Sequence, residues 1–251
     1  MEGHVSTHFE NGITSITFYH PAQNSMPGHL LAKLAEAITA AGKDNDTILI
    51  VLKSEGDRTF SAGASFTELA AIQDFETGKK FFMGFAGVIN AMRKCPKIII
   101  GRVQGKAVGG GVGLAAACDY CMATKYASVR LSELAVGIGP FVIGPVVERK
   151  VGLSAFSQMA INADEWQTAE WAKQKGLFTE SFETLKQLDD YIDHFTKILG
   201  KKNPEALGLL KKVFWEGTDH WDTLLEQRAE MSGKLILSDF AKNAIKSFLN
   251  A

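Results

Sequence analysis

The sequence is short of cysteine, of excess charge of either sign and of long apolar runs, and each shortage excludes a class of protein. Three cysteines, Cys95, Cys118 and Cys121, among 251 residues are too few for a disulfide-stapled scaffold. Cys118 and Cys121 form a C-x-x-C, yet no second such pair follows, and the histidines (His4, His8, His20, His29, His194 and His220) show no ligand spacing. The pattern therefore predicts buried thiols and no metal site. Lys plus Arg total 27 against 28 for Asp plus Glu, a net charge of -1, which gives no electrostatic footing for nucleic acid or an anionic membrane. The expected partner is a small molecule or another subunit. Apolar stretches such as residues 97–103 fall far short of the ~20 residues that cross a bilayer. The first eleven residues lack a basic start followed by an apolar run, so the expectation is a cytoplasmic protein without a signal peptide. There is no internal repeat and no low-complexity tract.

The remaining sequence reads as one sizeable α/β unit with a core of its own. Asn11-Gly12 is a hairpin signal, with residues 5–9 and 13–18 as the paired strands. Apolar residues at Leu30, Leu31, Leu34, Ala37, Ile38 and Ala41 recur at helical spacing. Pro27 suits the first turn and Gly42 the stop. Residues 47–52 and 97–103 are continuous apolar runs rich in β-branched side chains, as expected of strands buried on both faces. A helix over 75–93 separates them. Gly109 to Gly113 open another helix through Ala117, and a strand follows over 120–124, so the centre of the chain is built from β-α-β crossovers. From residue 154 onward the pattern is helical, over 154–162, 165–175, 185–199, 204–214, 221–232 and 239–249.

Two glycine-containing segments stand beyond buried strands: Phe60-Ser-Ala-Gly-Ala-Ser-Phe66 and Gly109-Gly-Gly-Val-Gly113. At a helix start the first backbone N–H groups lack intrahelical partners, and small residues let a substrate oxygen approach them. Two such donors converging on one oxygen make an oxyanion hole. Either segment alone reads as readily as a tight strand-to-helix turn. Gly111-Val-Gly113-Leu-Ala-Ala116 also spells a dinucleotide fingerprint, with Glu133 standing for the ribose-binding acid. Gln104 to Val108, however, separate the strand from the first glycine, which that fingerprint does not allow.

Taken together, Phe60-Ser-Ala-Gly-Ala64, Gln104-Gly-Lys-Ala-Val-Gly-Gly-Gly111, Cys118-Asp119 and Glu133 resemble the crotonase (enoyl-CoA hydratase/isomerase) superfamily in order and spacing. Tyr19-His-Pro-Ala-Gln-Asn24 is similar to the family's early N-R-P-x-x-x-N segment, though Tyr19 and His20 depart from it. The likeness covers the chain to about residue 180. It implies a crotonase-like α/β fold of repeated β-β-α/β-α-β units with a helical C-terminal trimerisation region. Residues 1–195 would be the core with the acyl-CoA site, and 196–251 the oligomerisation region. It further implies an acyl-CoA thioester as substrate, no cofactor beyond the CoA of the substrate itself, and a homotrimer or hexamer.

By the same resemblance the oxyanion hole belongs to the N–H groups of Ala64 and Gly110, and Glu133 is the catalytic acid/base. Ala62, Phe66 and Phe141 are the expected substrate contacts. Phe81, Phe82, Phe85 and Val142 are further acyl-tunnel candidates, although aromatic residues at that spacing serve equally as plain core. Hydratases of the family use two glutamates, and the position of one is Gly113 here. A single glutamate at 133 is similar to the family's Δ3,Δ2-enoyl-CoA isomerases, in which one carboxylate takes a proton from C2 and returns it to C4. The alternatives are a hydratase in which Glu68 or Glu148 supplies the second acid, and a non-catalytic acyl-CoA-binding protein. A plain structural reading of Glu133 also stands, as a helix-start residue with Ser132 as its cap. Ser65 replaces the aspartate that often follows A-G-A. Arg58 and the C-terminal lysines are the candidates for the CoA phosphates, and Trp166, Trp171, Trp215 and Trp221 are expected to be core or interface anchors.

Overall fold

The computed structural model describes residues 3–249. The hairpin forms as the Asn11-Gly12 signal predicts: both residues have positive φ, 51° and 81°, the geometry of a turn whose twist matches its strands. Strands β1 (His4–Glu10) and β2 (Ile13–Tyr19) pair antiparallel from His4↔Tyr19 to Glu10↔Ile13. On β2 the alternate residues Thr14, Ile16 and Phe18 are buried. A short β3 (Ser25–Met26) leads into α1 (Gly28–Lys43). Gly42 does not stop this helix, as the sequence suggested. It lies inside the last turn, where a Cβ would come within 3.0 Å of Cys95 Sγ, so the glycine serves a close approach of α1 to the chain at Cys95-Pro96.

Next come β4 (Leu49–Ser54), β5 (Thr59–Ser61), β6 (Gly63–Ala64), α2 (Phe66–Ala71) and α3 (Phe75–Lys94). Then follow β7 (Ile98–Val103), β8 (Lys106–Val108), α4 (Gly110–Ala117), β9 (Tyr120–Thr124) and β10 (Ser128–Arg130). A 3-10 turn (Leu134–Val136) precedes α5 (Gly144–Ile161), which bends at Gly152, where φ is 77°. The chain ends in β11 (Gln167–Thr168), α6 (Ala169–Gln174), β12 (Glu180–Phe182), α7 (Leu185–Leu199), α8 (Pro204–Phe214), α9 (Trp221–Leu235) and α10 (Asp239–Leu249).

The main sheet runs β1-β2-β4-β7-β9-β12, and its pairs from β2–β4 onward are parallel. One face meets α1 and α3. The other carries Leu49, Val51, Ile98, Ile100 and Met122 against Leu188, Ile192 and Leu207 of α7 and α8, which is why β4 and β7 read as unbroken apolar runs. A second sheet, β11-β10-β8-β5, and the pair β3-β6 are built from strands of two or three residues, too short to leave a periodic signal. The sequence suggested no strand at any of them, and at β11 it suggested a helix start.

Helix α9 lies against α3 so closely that a Cβ on Gly78 would meet Gly233 Cα at 3.1 Å, and one on Gly233 would meet Lys79 N at 2.7 Å. The three cysteines are buried and free. Hydrogen bonding to Cys121, then burial, holds the Cys118 thiol well above its ordinary range, the environment of an inert thiol. Asp119 beside it is enclosed. Its carboxylate accepts from Lys211 Nζ at 2.9 and 2.7 Å, Trp215 Nε1 at 2.8 Å and Ile99 N at 2.8 Å, tying α8 to the sheet. Among the described residues no helix is long and apolar enough to cross a membrane.

Candidate active site

The two glycine segments meet at residues that have no side chain to keep them apart. Gly63, with φ of 81°, sits where a Cβ would come within 2.6 Å of Val108 O, and one on Gly111 would come within 2.7 Å of Ser61 O. Gly109 has φ of 49° and ψ of -117° at the start of α4, a conformation reserved for glycine. Its N–H donates to Arg130 O at 2.8 Å, which fixes the start of α4 beside β10. Gly110 follows at the first helical position. Its N–H finds no acceptor among the described residues, as helix starts require. Ala64, at the end of β6, borders the same cavity as Gly110.

The free space inside that cavity is about 50 Å³. Ala62, Ala64, Phe66, Gly110, Glu133 and Phe141, the six residues singled out from the sequence, all line it. So do Phe82, Phe85 and Val142. Phe81 does not, and instead packs edge-on against Phe82 and Phe85, with centroids 5.4 and 6.2 Å away. The remaining walls are apolar, apart from the hydroxyls of Ser132 and Ser232. Phe85 lies so close to Gly110 that a Cβ there would come within 2.1 Å of the ring. Glycine at 110 thus admits the ring on one side and leaves the N–H free on the other.

Among the described residues, Glu133 is the only ionisable side chain that lines the cavity. It stands immediately before the 3-10 turn, with Oε1 2.9 Å from where a Cβ on Gly109 would be. Its Oε2 is shut away from solvent and has no hydrogen-bond partner. Burial pushes the carboxyl from its ordinary 4.5 up to about 7, because the charged form loses hydration and its own backbone N–H offsets only part of that loss. The capping reading of this segment does not hold. Glu133 itself occupies the cap position of the turn, and no side chain caps it.

The proposed second acids lie elsewhere. Glu68 Oε2 accepts the Gly28 N–H at 2.7 Å, satisfying a donor at the start of α1, and Glu148 is exposed on α5. Neither lines the cavity. At Gly113 a Cβ would meet Ile143 Cγ2 at 2.5 Å and Ile143 Cβ at 2.8 Å, so the space a glutamate side chain would need is taken by Ile143. Ser65 caps α2, its hydroxyl accepting from Glu68 N at 3.4 Å. Among the described residues no three His, Cys, Asp or Glu side chains gather as a metal site would require.

The family profile described as Enoyl-CoA hydratase/isomerase matches residues 8–251. The chain belongs to the enoyl-CoA hydratase/isomerase family. A Bacillus subtilis relative named probable enoyl-CoA hydratase is 25% identical over 247 residues, 98% of this chain and 95% of its own length. A Mycobacterium tuberculosis relative, (7aS)-7a-methyl-1,5-dioxo-2,3,5,6,7,7a-hexahydro-1H-indene-carboxyl-CoA hydrolase, is 34% identical over 133 residues. That match spans about half of either protein, 53% of each. The crystal structure of enoyl-CoA hydratase from Bacillus halodurans shares the fold, with a TM-score of 0.89 at 23% identity over 97% of this chain and 99% of that one.

Sequence reasoning missed several wall residues of this family member. Ser232 reaches the cavity from α9 and is 1% exposed, yet it stands in a polar helical stretch with no motif around it. Ile143 could have been sought as the bulky complement of Gly113, but only once α4 and α5 were known to pack together. Leu69, Val136, Ile138 and Pro140 complete the lining and carry no signal beyond their apolar character.

Proposed function

We propose that this family member is an enoyl-CoA isomerase that shifts a 3-enoyl thioester to the conjugated 2-enoyl form. The observation that carries the reading is the lone carboxylate: among the described residues Glu133 is the only ionisable side chain lining the cavity, and Ile143 fills the place of a second glutamate at 113. In the proposed reaction the thioester oxygen lies against the N–H groups of Ala64 and Gly110. Glu133, ionised, takes a proton from C2, and the two N–H groups stabilise the enolate oxygen. The protonated Glu133 then returns the proton to C4. One carboxylate serves as base and then acid, which its raised pKa of about 7 suits at neutral pH. No bound water enters the scheme, and no cofactor is needed beyond the CoA of the substrate.

In this reading Ala62, Phe66 and Phe141 contact the acyl thioester. Residues 1–195 form the catalytic core and 196–251 the oligomerising helices. Exposed Leu209, Leu210, Val213 and Phe214 on α8 supply an apolar face suited to a trimer or hexamer. The relatives named hydratase favour a second reading, in which Glu133 adds water with help from Ser132 or Ser232.

Absorbance of the conjugated thioester separates the two readings. Purified protein with a medium-chain 3-enoyl-CoA is expected to give rising absorbance. Falling absorbance with a 2-enoyl-CoA, and no rise with the 3-enoyl compound, would establish hydration and overturn the isomerase.

A further inference from the structure

The C-terminal helix α10 packs across both catalytic walls of its own chain, touching α2 on one side and the 3-10 turn on the other. On the first side Phe248 stacks on Phe66, with centroids 4.5 Å apart and planes at 20°. Phe66 lines the cavity two residues after Ala64. On the second side the Phe240 ring lies 2.5 Å from where a Cβ on Gly137 would stand. Gly137 has φ of 79° and closes the turn that begins at Glu133. The buried anchors of α10 are Ala241 and Ile245, so the two phenylalanines are not what fastens the helix. In the single chain they remain 66% and 57% exposed, so each ring meets its wall with one face only.

We infer that α10 is a positioning element of the active site, in which Phe240 and Phe248 brace the Glu133 turn and the Ala64 segment against one helix and keep water from the Glu133 carboxylate. The inference rests on the reading of Glu133 as the acid/base group. An oxyanion donor and a base on separate segments must hold their separation to a fraction of an ångström for proton transfer to be efficient. A rigid helix touching both segments supplies that constraint where a loop would not. The device is local to Glu133. No charged side chain of α2, α3, α4 or α9 lines the cavity, nor do Asp239, Lys242 or Lys246 of α10, and no charge lies in the 3-10 turn, Leu134–Val136. Burial is the dominant influence on this carboxyl, so the entry of water is the main way to change it.

The test uses the full chain with Phe240→Ala and Phe248→Ala combined, and with Phe248→Ala alone as a milder variant should the double one lose its fold. The Glu133 carboxyl is titrated directly by carbon NMR of glutamate-labelled protein, assigned by its loss in Glu133→Gln, while isomerisation is followed by absorbance. The expected result is a titration midpoint lowered by about one pH unit and a kcat reduced roughly tenfold, with KM little changed. Leucine at both positions should restore the parent values. A midpoint unchanged from the parent's, or a loss confined to KM, would overturn the inference. Should the parent protein fail to isomerise, the proposed function falls, and the titration still decides whether α10 shields Glu133.

Discussion

Two carboxylates in this chain are taken out of water, and the protein treats them in opposite ways. Asp119 accepts four hydrogen bonds, from Lys211 to both oxygens and from Trp215 and Ile99. Glu133, fourteen residues later, leaves Oε2 without a partner. The first carboxylate has its charge matched and is inert chemically. The second has been left short of donors, which destabilises its ionised form and makes a proton easy to accept and return. Satisfied hydrogen bonds give the first acid a structural part, and their absence in the second, beside the unpaired N–H of Gly110, is what the proposed chemistry uses.

That contrast breaks most decisively if Glu133 proves dispensable. Glu133→Gln is expected to lower isomerase kcat about 10³-fold with the fold intact by circular dichroism, and near-parent turnover would end the argument. The complementary change, Asp119→Ala, should strand the buried Lys211 and cost roughly 3–5 kcal/mol in urea unfolding, while the folded fraction keeps its turnover. If activity rather than stability disappears, the two acids are not divided as described.

A smaller effect sharpens the comparison through pH. The acid limb of the pH–rate profile should fall near the Glu133 value of about 7; a limb near 4.5 would mean that the carboxylate is solvated. Stability carries the opposite sign from the usual paired acid. Below about 4.5 the group is protonated in both states, and its stabilising proton is fully retained. As pH rises the unfolded chain ionises first, so the folded state loses ground until its own value of about 7 is passed. Glu133→Gln should therefore be the more stable protein by on the order of 2 kcal/mol at pH 8, with the gap closing toward pH 4 in parallel melting curves.

The smallest expected effect is a gain. Gly113→Glu alone should unfold readily against Ile143 and add no activity. Combined with Ile143→Gly it is expected to yield detectable hydration of a 2-enoyl-CoA, read as falling absorbance, because room for a second acid then exists.

The parts of this molecule legible in its sequence are those made by backbone and by long periodic elements. Gly63, Gly109 and Gly110 advertise the donor loops because only small residues allow such approaches, and β4 and β7 show themselves as apolar runs because both of their faces are covered. What was not legible depends on which elements meet. The second sheet has strands too short for periodicity, and Gly42 resembles a stop signal until Cys95 is placed beside it. Glu68 stays open as a second acid beside Glu133 until its bond to Gly28 appears. The vacancy of Gly113 was visible from the motif, but that Ile143 occupies it follows only from the packing of α4 on α5.

The glycine-to-glycine crossing of α3 and α9 has a consequence for how such a protein diverges over generations. Helix α3 carries Phe82 and Phe85 into the cavity and α9 carries Ser232, so the gap between the helices helps to govern the cavity's width. Gly78 and Gly233 act as a spacer of the thinnest possible gauge. A methyl group at either position would wedge the walls apart by some fraction of an ångström without altering a single residue that meets the substrate. Under the proposed reading, lineages of this fold can thus drift toward bulkier acyl groups through positions outside the pocket, with Glu133 and the donor loops left unchanged.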